Sequence, residues 1–66
     1  MSLWDKCQAI YEEIDDLDTE EQQSLIENIV QNGDPNNLYE ELTEKQVRWV
    51  HWMYRVYVLG AEDAKW

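Results

Sequence analysis

An all-α fold, a compact three- or four-helix bundle, is predicted by three features of this 66-residue sequence. Apolar residues recur at steps of three and four, the spacing that places side chains on one face of a helix. Capping boxes, one Pro and two Gly divide the chain at short intervals, so that every connection is brief. With 44% of residues apolar, four Trp and four Tyr among them, the chain carries more core material than an acidic disordered tail would. A single helical domain over residues 1–60 and a C-terminal tail over 61–66 are expected, divided at Gly60.

The first helix is expected over residues 3–17, because Leu3, Cys7, Ile10, Ile14 and Leu17 alternate steps of four and three. Asp18-Thr19-Glu20-Glu21-Gln22 then offers two overlapping capping boxes, Asp18 with Glu21 or Thr19 with Gln22, and acids suit a helix amino terminus. A second helix over 19–31 follows, with Leu25, Ile26, Ile29 and Val30 inward and Gly33 closing it in the left-handed conformation. Asp34-Pro35 reads as a cap with Pro at the first helical position, giving a short third helix over 35–42 with Leu38, Tyr39 and Leu42. Thr43 with Gln46 is a further capping box, and Leu42 with Val47 forms a hydrophobic staple across it, starting a fourth helix over 44–59 that Gly60 ends.

Fifteen Asp+Glu against five Lys+Arg give a net charge of −10, which argues against a nucleic-acid binder held by phosphate neutralisation. Residues 1–44 hold thirteen acids against Lys6, net −12, whereas residues 45–66 hold four cations against Glu62 and Asp63, net +2. Glu12, Glu13, Asp15 and Asp16 belong to a run in which seven of ten residues, 12–21, are acidic. On a helix rising about 1.5 Å per residue, such a ridge approaches the charge density of duplex DNA, about one charge per 1.7 Å, so DNA mimicry is physically open to it. The alternative is a surface charged for solubility and capping.

The fourth helix differs from the others. Arg48, His51 and Arg55 recur at steps of three and four on an otherwise apolar and aromatic surface, with Trp52 on the same stripe. Val47, Val50, Tyr54 and Val58 form one core row, while Trp49, Met53 and Val56 form a second that a thin bundle leaves partly uncovered. Two arrangements fit this pattern: a binding face centred on Arg48, Trp49, Trp52 and Arg55, or a central helix whose arginines pair with acids of the first two.

Other chemistry is poorly represented. Cys7 is a lone thiol on a buried stripe and His51 the only imidazole, so neither a disulfide nor a zinc site is expected, and no cofactor. Asp16, Asp18, Glu20 and Glu27 take positions 1, 3, 5 and 12 of a calcium loop, but Glu21 stands where the sharp turn needs Gly, and no metal is expected. Without a nucleophile motif, a phosphate loop or length for a cleft, the chain is read as not an enzyme. The amino terminus lacks a basic start and an apolar run, so a cytoplasmic setting without membrane association is expected.

The stretch from Leu38 to Tyr54, with Leu42-Thr43-Glu44-Lys45-Gln46 ahead of a Trp- and Tyr-rich helix, resembles small proteins of tailed phages. Size and four-helix layout are similar to the module encoded beside the UvsW helicase in T4-like phages, whose fold resembles the nucleic-acid-binding module appended to RecQ-type helicases. The resemblance implies a DNA-transaction accessory in the host-cell cytoplasm, with Lys45, Arg48 and Arg55 nearest phosphate. The charge of −10 departs from that pattern and favours contact with a protein that itself handles DNA.

The expectation is therefore a small acidic interaction module. It binds a host or phage protein through the ridge (Glu12, Glu13, Asp15, Asp16) and the aromatic helix (Arg48, Trp49, Trp52, Arg55), as an inhibitor or DNA mimic. The alternatives are a nucleic-acid-binding accessory of a phage recombination or repair helicase, and a homodimeric structural protein.

Overall fold

The computed structural model describes residues 2–61. It is all-α, with helices α1 (Leu3–Glu12), α2 (Glu20–Asn32), α3 (Leu38–Glu41) and α4 (Glu44–Met53), a 3-10 turn (Ile14–Asp16) after α1, and a π-helical segment (Tyr54–Val58) continuing α4. There is no strand among the described residues. The expected tail beyond Ala61 lies outside them. α1 packs against α2, α4, the π segment and α3, and so runs through the middle of the bundle.

The core draws on every helix: Leu3, Cys7 and Ile10 from α1, Ile26 and Ile29 from α2, Leu38 from α3, Val50 and Met53 from α4, and Leu17 from the corner between α1 and α2. Each fully buried aliphatic side chain stabilises the fold by about 1.5–3 kcal/mol relative to exposure. Met53, expected on the partly uncovered row, is completely buried, whereas Val58 on the expected core row is exposed. The π segment accounts for Val58. Wider turns abandon the 3.6-residue period on which that row was drawn, and Leu59 N–H reaches back five residues to the Tyr54 carbonyl at 3.1 Å.

The expected helix boundaries move for identifiable reasons. α1 ends at Glu12 rather than residue 17 because its last turn holds no basic residue and the following Glu13, Asp15 and Asp16 stand at the negative end of the helix dipole. The 3-10 turn takes over there. Pro35 lies in a turn, not in α3: Asn37 N–H donates to the Asp34 carbonyl at 3.0 Å, and Asp34 Oδ1 accepts from Asn36 N–H at 3.0 Å. Asp first and Pro second in such a turn is a favoured arrangement, and α3 starts only at Leu38.

Gly33 ends α2, but with φ −74° and ψ 157°, not in the left-handed region. Its role is close approach, since a Cβ there would lie 2.5 Å from the Ile29 carbonyl oxygen and 3.0 Å from Leu38 Cδ2. Gly60 does adopt the left-handed conformation, φ +78°, as Ala61 N–H turns back to the Arg55 carbonyl at 3.0 Å.

Both capping boxes form in full, Thr19 with Gln22 and Thr43 with Gln46. The first does more than cap. Gln22 is buried, and its Oε1 accepts from Asp18 N–H at 3.0 Å, Thr19 N–H at 3.2 Å and the Tyr57 hydroxyl at 3.1 Å. One carboxamide thus joins the α1–α2 corner to the π segment.

Gln22→Ala is expected to lower unfolding free energy by about 1–3 kcal/mol, because it removes a buried acceptor shared by three partly buried hydrogen bonds, and Tyr57→Phe by about 0.5–1.5 kcal/mol. Urea denaturation measures both. Gly33→Ala is expected to cost about 1–3 kcal/mol despite an allowed backbone angle, because the added methyl meets backbone oxygen. A neutral or stabilising result would show that Ile29 and Leu38 give way.

Candidate functional site

Four elements of the sequence stripe come together as expected. Arg48, His51, Trp52 and Arg55 line one open groove on the outer side of α4 and the π segment, about 500 Å³ in volume, together with Lys6, Tyr54 and Leu59. Arg48 and Arg55 are exposed, and His51, Trp52 and Tyr54 half-buried. Leu59 keeps 64% of its surface at the groove's end. Among the described residues, neither arginine forms an ion pair with the acids of α1 or α2, so α4 is not a helix enclosed by the others. One face, Val50 and Met53, is core, and the opposite face is open.

Trp49 does not join this groove. It lines a separate hollow of about 320 Å³ with Lys45, Thr19, Glu21, Gln22 and Trp52, so the four-residue centre expected from the sequence is split, and Trp52 alone belongs to both sides. The Trp52 ring stands edge-on to Tyr57, centroids 6.1 Å apart and planes at 86°. This geometry favours an aromatic pair and links the groove wall to the buried Gln22 contact.

Lys6 is the groove residue that the helical stripe did not reveal. It reaches across from α1, with Nζ 3.1 Å from His51 Nδ1 and 5.3 Å from the centroid of the Tyr54 ring. An ammonium group only donates, so His51 Nδ1 accepts and the imidazole is neutral with its proton on Nε2. Burial, with the Lys6 charge adding to it, holds the His51 pKa below its ordinary value of 6.5. The signal in the sequence was available: Lys6 is the only cation among the first forty-four residues and directly precedes Cys7 of the buried stripe.

Among the described residues the groove is lined by three of the four Lys and Arg and by no Asp or Glu. The described acids lie elsewhere. Glu12, Glu13, Asp15 and Asp16 are all exposed around the end of α1, but the 3-10 turn breaks the α-helical repeat, so the ridge does not keep the 1.5 Å spacing that the comparison with duplex DNA assumed. Interaction with the Asp16 side chain pushes the Glu13 carboxyl above its ordinary pKa of 4.5, followed by slight desolvation and the negative charges of Asp16 and Glu12. At the ridge two acids therefore crowd one another.

Cys7 is completely buried, and burial pushes its thiol up to about 11, which makes it a core residue. The segment considered as a calcium loop is folded as 3-10 turn, capping box and α2, and no group of three His, Cys, Asp or Glu placed to hold a metal occurs among the described residues. No helix of the described residues is long and apolar enough to cross a membrane. No protein-family model matches the chain, and neither does any curated protein or solved structure.

His51 provides a pH test. Its folded-state pKa is depressed, so the unfolded chain binds the proton first and stability falls as pH drops below 6.5 toward the folded value. The Lys6–His51 contact is present above that window and lost below it. NMR titration of His51 should give a pKa below 6.5 that rises in Lys6→Met, and His51→Gln, whose carboxamide still accepts from Lys6, should flatten this part of the stability profile. A wild-type pKa at or above 6.5 contradicts the neutral acceptor.

Proposed function

We propose that the protein is a small interaction module that holds a protein partner against the outer face of α4 and the π segment. The observation that carries this reading is the groove's composition. Lys6, Arg48 and Arg55 share one opening with Trp52, Tyr54 and an exposed Leu59, in a chain with three times as many acids as bases. Folding alone gives no reason for it. Like charges gathered on one face repel rather than stabilise, and an exposed Leu at its edge contributes little to the core. Arg beside aromatic anchors in a concave, partly apolar site is the composition of interface centres. Among the described residues no carboxylate, hydroxyl nucleophile or thiol lines the groove apart from the Tyr54 phenol, which supports binding over catalysis.

The acidic ridge is proposed as a second contact, directed at basic surface. The resemblance of Leu38–Tyr54 to tailed-phage proteins adds a host or phage protein acting on DNA as the partner, with inhibition or DNA mimicry as the consequence. A second reading, direct binding of single-stranded nucleic acid, draws on the same pairing of cations with Trp52 and Tyr54, since a stacked base contributes about 1–3 kcal/mol. The net charge of −10 opposes it along any strand longer than the groove.

Affinity capture from a bacterial lysate with three baits tests the module: wild type, Arg48→Glu with Arg55→Glu, and Glu12→Gln with Glu13→Gln, Asp15→Asn and Asp16→Asn. All substituted side chains are exposed, so circular dichroism should be unchanged. A protein enriched by wild type and lost from the arginine variant is expected, and equal enrichment on both removes the groove from the interface. Loss from the ridge variant alone would transfer the function to the acids.

A further inference from the structure

The groove's lining also specifies the chemistry of what enters it, an inference that rests on the interaction module proposed above. We infer that the occupant is a short acidic peptide segment of the partner, whose carboxylates meet Lys6, Arg48 and Arg55 while an apolar side chain between them packs on Trp52, Tyr54 and Leu59. Three observations point there. Among the described residues no Asp or Glu lines the groove, on a surface where acids otherwise dominate, which leaves it the one local concentration of positive charge there. The lining is also partly apolar, with two aromatic walls and Leu59, so a bare inorganic anion would leave most of it unfilled. Third, Arg48 and Arg55 are seven residues apart, about 10 Å along a helix, which sets the separation of two bound carboxylates and confines the ligand to a few residues.

The same geometry decides against a nucleic-acid strand as the occupant. A strand continues past the groove and meets a molecule with a net charge of −10, within the screening distance of about 8 Å at physiological salt. An acidic peptide segment stops. It takes the attraction of the three cations at short range and leaves the rest of the acidic surface unopposed. Lys6 enters this site already oriented, because His51 and the Tyr54 ring hold its ammonium group in place.

The test is titration of the wild-type protein, followed by Trp fluorescence and calorimetry, with a synthetic peptide of glutamates alternating with paired leucines. The same peptide with glutamine for glutamate, one with lysine for glutamate, and an oligothymidylate serve as the other arms. The acidic peptide is expected to bind about tenfold more tightly than the glutamine peptide, the effect of a few exposed ion pairs, and to lose that advantage at high salt and in Arg48→Glu with Arg55→Glu. Binding of the glutamine or lysine peptide as tight as that of the acidic one overturns the inference. Tighter binding of oligothymidylate overturns it in favour of a nucleic-acid site. If no peptide binds while lysate capture still depends on Arg48 and Arg55, the acidic-segment inference falls and the interaction module stands. Peptide binding that Arg48→Glu with Arg55→Glu leaves intact sinks the groove assignment for both.

Discussion

The Gln22 carboxamide oxygen is the contact on which the rest of the arrangement depends. It is one acceptor shared by two backbone donors at the start of α2 and by the Tyr57 hydroxyl from the far end of the chain. A capping box ordinarily acts within one helix. Burial of Gln22 changes its reach, because an acceptor removed from water must find donors within the protein or cost about 1–3 kcal/mol. Tyr57 is thereby held toward α2, and the π turn is the backbone's accommodation. Its wider spacing brings Tyr57 inward and leaves Val58 outside. Trp52, edge-on to Tyr57, is set by the same tie, so a partly buried hydrogen bond on one side of the helix positions an aromatic wall of the groove on the other.

Charge is distributed with similar consequences for structure. Acids at the start of α2 and α4 suit the helix dipole, and acids at the end of α1 oppose it. That opposition ends the helix early and bends the ridge through a 3-10 turn, in which Asp16 N–H donates to the Glu13 carbonyl at 2.9 Å. The basic residues take the opposite course. Arg48 and Arg55 stand one above the other on α4 and its continuation, and Lys6, alone among the acids of the first two helices, faces them from α1. The segregation seen along the sequence becomes a separation in space only because α1 lies between α2 and α4 and presents Lys6 to the basic side.

Much of this was legible in the sequence, and what was not has physical causes. The all-α class, the Thr19 and Thr43 capping boxes, the core positions Leu3, Cys7, Ile10, Ile26, Ile29 and Val50, and the Arg48-His51-Trp52-Arg55 stripe are local patterns at a fixed period, which periodicity reads well. Gly33 was read for its backbone freedom, yet what it supplies is space against Leu38, a tertiary fact. Pro35 fits a first helical position and a turn's second position equally by local rules, and the Asp34–Asn37 hydrogen bond selects the turn. The π segment breaks the period itself, so Val58 was misplaced on the core row. Lys6 belongs to a different helix from the residues it serves. Only packing discloses such a partner.

Net charge, the most conspicuous property of the sequence, is for that reason a poor guide to the groove. A charge of −10 governs encounters at distances beyond the groove, where the acids act as a sum, and it disfavours every polyanion there. Inside about one screening length, near 8 Å at physiological salt, each group acts for itself, and the nearest charges are those of Lys6, Arg48 and Arg55. Attraction of an anion is therefore confined to short range and opposed at long range. On the reading proposed for the groove, such a surface discriminates by length as well as by sign: a short anionic segment presented by a larger, less acidic body would reach the cations, while a uniformly charged strand would meet repulsion before it met them. The acidic majority of the chain would then sharpen what a minority of basic residues can select.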